Sequence, residues 1–448
     1  MRRPQEIPAQ ESPPHKAGSR FRLPRLSQSL GQSEGRETES SRPWASIGSR
    51  CVETGPVCTH YMRALLTFAR RKRYNNTHIM RRTYLWELDP WPAFTYQADQ
   101  LIGPLGNALV RFGTLSGLLM HANVADKGES EIRALVADVV DTSAIEGEKL
   151  DPEAVRGSIV RRLSLADGGV RRADDHTEGV IDITMDALKY ERPVTEQRLF
   201  DWHEMLFPIV RGRRALRNIG RYRDDGGGPM TVQTNRGAGR EPTIHYAAPP
   251  ASQVPGDMKR LIDYVETDTG EHGVIRAAIV HLWFLLIHPF EDGNGRIGRA
   301  LADLMLSRAQ GPENRYCSLS RQILIDQKAY YEALERAGYE SFDITQWVAW
   351  FLDCYARAAE ATIGIVNDVL RTTTFFATFA DIAMNERQRK IVKRLLDGFD
   401  GRLNAERYAR MTSVSHDTAN RDLSDLVEKG VFVREGESRK TNYRLSGV

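Results

Sequence analysis

One stretch of the chain, His288-Pro-Phe-Glu-Asp-Gly-Asn-Gly-Arg-Ile-Gly-Arg299, gathers a base, an acid, two permissive glycines and two arginines. Imidazole titrates near neutrality, so His288 is suited to take a proton from an attacking hydroxyl. Gly293 and Gly295 admit backbone angles that other residues resist, and a turn built from them can aim successive N–H groups at one anion. Arg296 and Arg299 lie three apart, so on a helix they share a face from which guanidinium forks grip phosphate oxygens. Asp292 supplies a hard oxygen beside that site, which suits magnesium better than zinc. Polyphosphate is the natural guest. A plain surface loop with a capping asparagine and solvated arginines would leave the coincidence of these groups unexplained.

Two helices must present this run. Ile279, Leu282, Trp283, Leu285, Leu286 and Ile287 predict a buried helix from about Val274. Pro289 ends it and leaves His288 at its C-terminal edge. After Asn294 the pattern predicts a new helix, whose N-terminus adds unpaired N–H groups to the cradle.

The run resembles the signature of the Fic family, His-Pro-Phe-x-Asp/Glu-Gly-Asn-Gly-Arg-x-x-Arg, and meets every fixed position. The resemblance implies a mainly α fold, with a Fic helical core and a small β-hairpin flap. It also implies transfer of AMP from ATP to a Ser, Thr or Tyr hydroxyl of a protein. His288 would be the general base and Asp292 the magnesium ligand. Gly293, Asn294, Gly295 and Arg296 would bind the phosphates, and Arg299 the terminal one. Such chemistry is mainly positioning and charge neutralisation.

Far upstream, Asp141-Thr-Ser-Ala-Ile-Glu-Gly-Glu148 is weak on its own, since a glutamate often decorates a helix end and glycine is an ordinary C-cap. Beside the first run it resembles the family's inhibitory pattern, Ser/Thr-x-x-x-Glu-Gly/Asn, through Thr142, Glu146 and Gly147. That implies a Glu146 carboxylate on Arg299, denying ATP a productive pose until it moves. Some relatives use the same glutamate to remove AMP, an alternative activity. Gly226 to Thr234 reads as a turn and a short alternating stretch, either a plain exposed hairpin or the family's flap. As a flap it would register the target by strand pairing, with Met230, Thr231 and Val232 nearest the hydroxyl. Ser318, Tyr330, Tyr331 and Leu334 follow the core helices. Tyr330 and Tyr331 resemble a family segment near the nucleotide base, although aromatics on a helix are as often core.

A chain of 448 residues, 41% hydrophobic, is long enough for at least two cores. Residues 1–82 are expected to be a disordered basic extension, rich in Pro, Ser, Gly and Arg. They carry a formal +10 against +3 for the whole chain, so the remainder is −7. Arg70-Arg-Lys-Arg73 is the densest basic patch, a solvated linker or a contact for phosphates. No secretion signal is legible, and Met80 is an alternative start close to the first patterned segment. Cys51, Cys58, Cys317 and Cys354 have neither zinc spacing nor disulfide density, which fits a reducing cytoplasm. No membrane span is expected.

Residues 83–165 are expected to form a small N-terminal helical domain, with the inhibitory helix over 130–147 and Ser130 as its cap. Trp86, Trp91, Phe94 and Tyr96 open it and are expected to pack on a helix over 101–119. Residues 166–375 would be the catalytic domain, with a loop over 166–177. Over 382–448, three helices and two strands predict a winged helix-turn-helix resembling the C-terminal domain of many Fic proteins. Its third helix, 415–429, turns Ala419, Leu423, Leu426 and Val427 inward and His416, Asn420, Arg421 and Ser424 outward. DNA reading would place that helix in a major groove. Asp417, Asp422, Asp425 and Glu428 would oppose phosphates, so protein docking or dimerisation stands beside DNA binding. Expected partners are therefore ATP, an unidentified protein substrate, the chain itself as a modification target, DNA or a protein at the winged helix, and a second copy in a homodimer. The non-enzymatic alternative is a nucleotide-responsive transcriptional regulator.

Overall fold

The computed structural model describes residues 83–448 except 164–172, 209–215, 235–242, 340, 397, 399–401, 437–440 and 448. The basic extension, its arginine patch, Cys51 and Cys58 lie outside the described residues. The fold is mainly α-helical with small antiparallel hairpins. No described helix is long and apolar enough to cross a membrane.

In chain order the helices are α1 (Ala98–His121), α2 (Val124–Ile145), α3 (Pro152–Arg162), α4 (Asp175–Ala187) and α5 (Glu196–Leu206). The hairpin β1 (Thr231–Thr234) and β2 (Thr243–Ala247) follows, then α6 (Val254–Glu266), α7 (Gly273–Ile287) and α8 (Asn294–Gln310). Next come α9 (Leu319–Ile325), α10 (Gln327–Ala337) and α11 (Thr345–Thr378). The chain ends with α12 (Glu386–Leu396), α13 (Ala405–Thr412), α14 (His416–Glu428), β3 (Phe432–Glu435) and β4 (Asn442–Leu445).

The centre of the molecule is α7, which is apolar on all sides because it is covered on all sides. Every residue from Ala277 to Ile287 is buried. Each fully buried Leu, Ile or Phe there contributes about 1.5–3 kcal/mol. Helix α8 can lie close against it because Gly298 has no side chain: a Cβ would come within 3.2 Å of Phe284 and Leu285. One hydrophobic cluster runs from Leu101 on α1 to Val366 on α11, so residues 83–165 share the core of the following helices. The long α11 then carries Phe375 into a second cluster, formed by α12, α13, α14 and the terminal hairpin.

Three expectations change in the part before α12. The helix expected to start at Ser130 starts at Val124, where Asn123 Oδ1 accepts from Asp126 N at 2.8 Å, and Ser130 is buried inside it. Charged residues in its first two turns hide the apolar period that would have revealed this start. Of the expected 166–177 loop, the last three residues already belong to α4, which Asp174 caps by accepting from Thr177 N. The opening aromatics do not centre on α1: Trp86 Nε1 donates to Ala247 O, Trp91 Nε1 to Asp257, and Phe94 meets Trp283 edge-on. Their indole donors need acceptors, which the hairpin end and α6 supply.

In the C-terminal helices Ala419, Leu423 and Leu426 are buried, Val427 is partly so, and His416, Arg421 and Ser424 are exposed. Asp422, expected to face phosphates, points inward. It accepts from Tyr408 Oη at 2.9 Å and from Asn385 and Arg387. Asp425 is likewise engaged by Gln388 and Lys429. Asp422→Ala should leave the buried Tyr408 hydroxyl unpaired and destabilise this module by about 1–3 kcal/mol. Faster amide exchange in α13 and α14, with α7 unchanged, is the expected reading.

Candidate active site

The site forms where α7 stops and α8 starts. His288 closes α7 in the left-handed region, φ 51° and ψ 60°, with its N–H still donating to Phe284 O. An L-residue resists that conformation, so surrounding bonds must hold it. Its Nδ1 lies 3.3 Å from Leu285 O, and a proton placed there leaves Nε2 with a free lone pair. Burial first, and then the nearby Arg223 charge, push His288 down to about 4. It is therefore neutral at physiological pH, the form that accepts a proton.

The next turn is braced from inside. Asn294, 2% exposed, accepts from Phe290 N at 3.0 Å and donates to Phe290 O at 2.8 Å. Its side chain therefore shapes the loop, and only its backbone is left for any ligand. Gly293 has φ 80°, and a Cβ there would strike Leu206 and Phe207. Asp292 accepts from Gly293 N, and its carboxyl is raised chiefly by burial. This donor set fits magnesium, which needs only one or two protein carboxylates beside substrate phosphates. Among the described residues no group of three His, Cys, Asp or Glu side chains converges as a metal cage.

A carboxylate lies against the first turn of α8. Helix α2 ends at Ile145, and Gly147 turns back at φ 83°, which leaves Glu146 projecting from the helix end. Glu146 Oε1 accepts from Arg299 Nη2 at 2.8 Å. Thr142 secures the same guanidinium, with Oγ1 2.7 Å from Nε and its carbonyl 3.0 Å from Nη2. A Cβ on Gly295 would fall 2.1 Å from Glu146 Oε1, so the carboxylate sits directly over the first turn of α8. Arg299 is 1% exposed, and this burial works against its charge; the adjacent Glu146 carboxylate nevertheless lifts the guanidinium above its ordinary range.

Glu148 makes a second closure that the sequence pattern did not single out. Its carboxylate meets Arg296 Nη1 at 3.0 and 3.2 Å and His176 Nε2 at 2.9 Å. His176 Nδ1 lies 2.9 Å from Leu206 O, and Nε2 also has Arg296 Nη1 at 3.3 Å. The hydrogen bond to Glu148 is the main reason that His176 is raised above its ordinary value. The one sequence signal for this closure is the Glu-Gly-Glu spacing after α2. Arg223 was also missed, in the charged stretch before β1, where its Nε donates to His288 O at 2.8 Å.

The expected flap residues lie on or beside the hairpin. Met230 O accepts from Ala248 N, while Thr231 and Val232 pair with Ala247 and Tyr246. Val232, His288, Tyr331 and Leu334 line one cleft of about 90 Å³. Tyr330, by contrast, is a core residue, 1% exposed with its hydroxyl 3.0 Å from His281 Nε2. Ser318 caps α9 and donates to Asp138.

The geometry brings together a loop that runs into a helix N-terminus, a neutral histidine at its edge, and carboxylates on Arg296 and Arg299. Residues 193–306 match the Fic/DOC family model, and residues 84–165 match a domain of unknown function, DUF4172. The chain thus contains a segment of the Fic/DOC family, over residues 193–306. It is 31% identical over 124 residues to a protein adenylyltransferase Fic of Aedes aegypti, covering 26% of this chain and 23% of that protein. A protein of the same name from Drosophila willistoni is 31% identical over 121 residues, with the same shares covered. The match thus spans about a quarter of these relatives' length. Among solved structures, a Fic family protein from Desulfovibrio desulfuricans G20 is 24% identical with a TM-score of 0.46, covering 80% of this chain and 98% of that one.

Glu146→Ala should leave the Arg299 guanidinium buried without its counter-charge and destabilise the fold by about 3 kcal/mol. Urea unfolding is the measurement, and an unchanged midpoint would mean that the pair contributes nothing net.

Proposed function

We propose that the chain is a protein adenylyltransferase held inactive by Glu146 against Arg299. The observation that carries this is the carboxylate over the first turn of α8, standing where a phosphate would bind a helix N-terminus. Support also comes from the Fic-domain match and from relatives named protein adenylyltransferase.

With Glu146 withdrawn, the first-turn N–H groups of α8, Arg296 and Arg299 would hold the polyphosphate of ATP. His288 Nε2 would accept the proton of a Ser, Thr or Tyr hydroxyl as its oxygen bonds to the α-phosphorus. The bond from that phosphorus to the bridging oxygen breaks, and pyrophosphate leaves. Magnesium on Asp292 would neutralise charge on the phosphates. The β1–β2 hairpin would register the target segment by main-chain pairing, with Val232 beside the cleft.

Glu148 adds a second hold, because releasing Glu146 alone leaves Arg296 paired. Glu146→Gly should transfer labelled AMP to protein well above the parent, and adding His288→Ala should reduce that on the order of 10²-fold or more. No labelling by Glu146→Gly of itself or of a lysate would sink the transferase reading. Glu146-dependent release of AMP from a modified protein would favour removal instead.

In the Glu146→Gly background, Glu148→Gln should raise transfer further, and by more at acid than at alkaline pH. A raised His176 pKa means that its charge supports the hold fully below the ordinary value of about 6.5 and loses it as pH climbs through the raised one. A rate ratio between the two variants that is flat from pH 6 to 9 would remove His176 from the hold.

A further inference from the structure

Arg223 is buried in the segment between α5 and β1, its side chain 1% exposed. Nε donates to the His288 carbonyl at 2.8 Å, while Nη2 reaches the Pro249 carbonyl at 2.5 Å and the Ile287 carbonyl at 3.4 Å. Its backbone N–H donates to the Pro289 carbonyl at 2.9 Å. One residue thus engages the carbonyls of residues 287, 288 and 289, the segment that contains the left-handed turn of His288. The remaining guanidinium nitrogen, Nη1, lies 3.5 Å from an Asp225 carboxylate oxygen. Asp225 in turn accepts from Ala251 N at 3.0 Å.

Pro249 and Ala251 lie just past β2, and Ala248 N closes the base of the hairpin on Met230 O. The guanidinium therefore joins two parts that the proposed reaction needs in register: the hairpin and the histidine. A lysine ammonium cannot reproduce this arrangement, because its three donors radiate from one atom whereas the carbonyls lie along a planar fork.

We propose that Arg223 is the positioning residue of the base: it holds His288 in its left-handed conformation and fixes that conformation relative to the foot of the hairpin. The inference rests on the adenylyltransferase reading for its catalytic consequence, but not for the structural hold itself. Burial and the Arg223 charge both lower His288, so removing the charge has a signature separate from loss of geometry. His245, Glu332 and Glu335 line the same cleft and stay constant across the variants below.

The experiment uses the full chain carrying Glu146→Gly, with Arg223→Met and Arg223→Lys added in turn. Imidazole signals are titrated by NMR, with His288 assigned by its loss in His288→Ala, and AMP transfer is measured as kcat and KM for ATP. Arg223→Met should raise His288 from about 4 toward the ordinary value of about 6.5. It should also lower kcat on the order of 10²-fold, with KM for ATP within twofold. Arg223→Lys keeps the charge, so His288 should titrate nearly as in the parent while kcat still falls at least tenfold. An unchanged titration in Arg223→Met, or a loss confined to KM, would overturn the proposal. If Arg223→Met does not fold, Arg223→Lys decides, and full kcat there overturns it. A Glu146→Gly parent that transfers no AMP refutes the activity, while the titration still decides the role of Arg223.

Discussion

The Arg299 guanidinium is the constraint around which the site is organised. It is almost completely buried, and an unpaired charge there would be strongly unfavourable. An anionic partner facing it therefore contributes to the stability of the fold. In the resting chain that partner is Glu146, delivered from α2, with Thr142 one helical turn earlier satisfying two further donor contacts. A bound phosphate could replace the carboxylate without leaving the cation exposed to an apolar interior. The same electrostatic need stabilises the observed pairing and, under the proposed function, would be met by a polyanion once Glu146 withdraws.

Arg296 obeys the same rule less strictly. Its partner Glu148 is partly exposed, so water screens the pair and lowers its worth. Glu148 remains ionised although burial opposes this, because His176 and Arg296 both stabilise the carboxylate. The two closures consequently differ in kind: a buried carboxylate–guanidinium pair at Arg299 and a wetter, histidine-supported pair at Arg296. Both leave from the short segment after α2, so a change in that segment would touch both at once.

How far this could be read from sequence depended on how local each signal was. The cradle is encoded within one continuous run, and its glycines, acid and arginines are where the pattern put them. Glu146 was legible because its spacing from Thr142 and Gly147 is a local pattern, even though its partner lies far along the chain. Glu148 and Arg223 were not legible, because a glutamate beside a helix end and an arginine among charges acquire meaning only from carbonyls and cations brought by other elements. The inward turn of Asp422 was hidden for a similar reason: α14 presents it to Tyr408 and Arg387 on two other helices. Asn294 shows the converse case: the pattern singled it out for phosphate, and its side chain serves the turn itself.

The way α2 is embedded also limits how the closure could open. Ile132, Leu135, Val139 and Ile145 are all buried in the main core. At about 1.5–3 kcal/mol each, exposing them would cost roughly 6–12 kcal/mol, comparable with the entire stability of many domains. Withdrawal of the whole helix is therefore a poor route to an open site. Glu146 lies one residue beyond the last helical residue, next to a glycine at positive φ, where side-chain rotation or fraying of one turn is far cheaper. Opening of the closure should accordingly be local to the residues around Glu146, with α2 remaining packed while the carboxylate changes places with a phosphate.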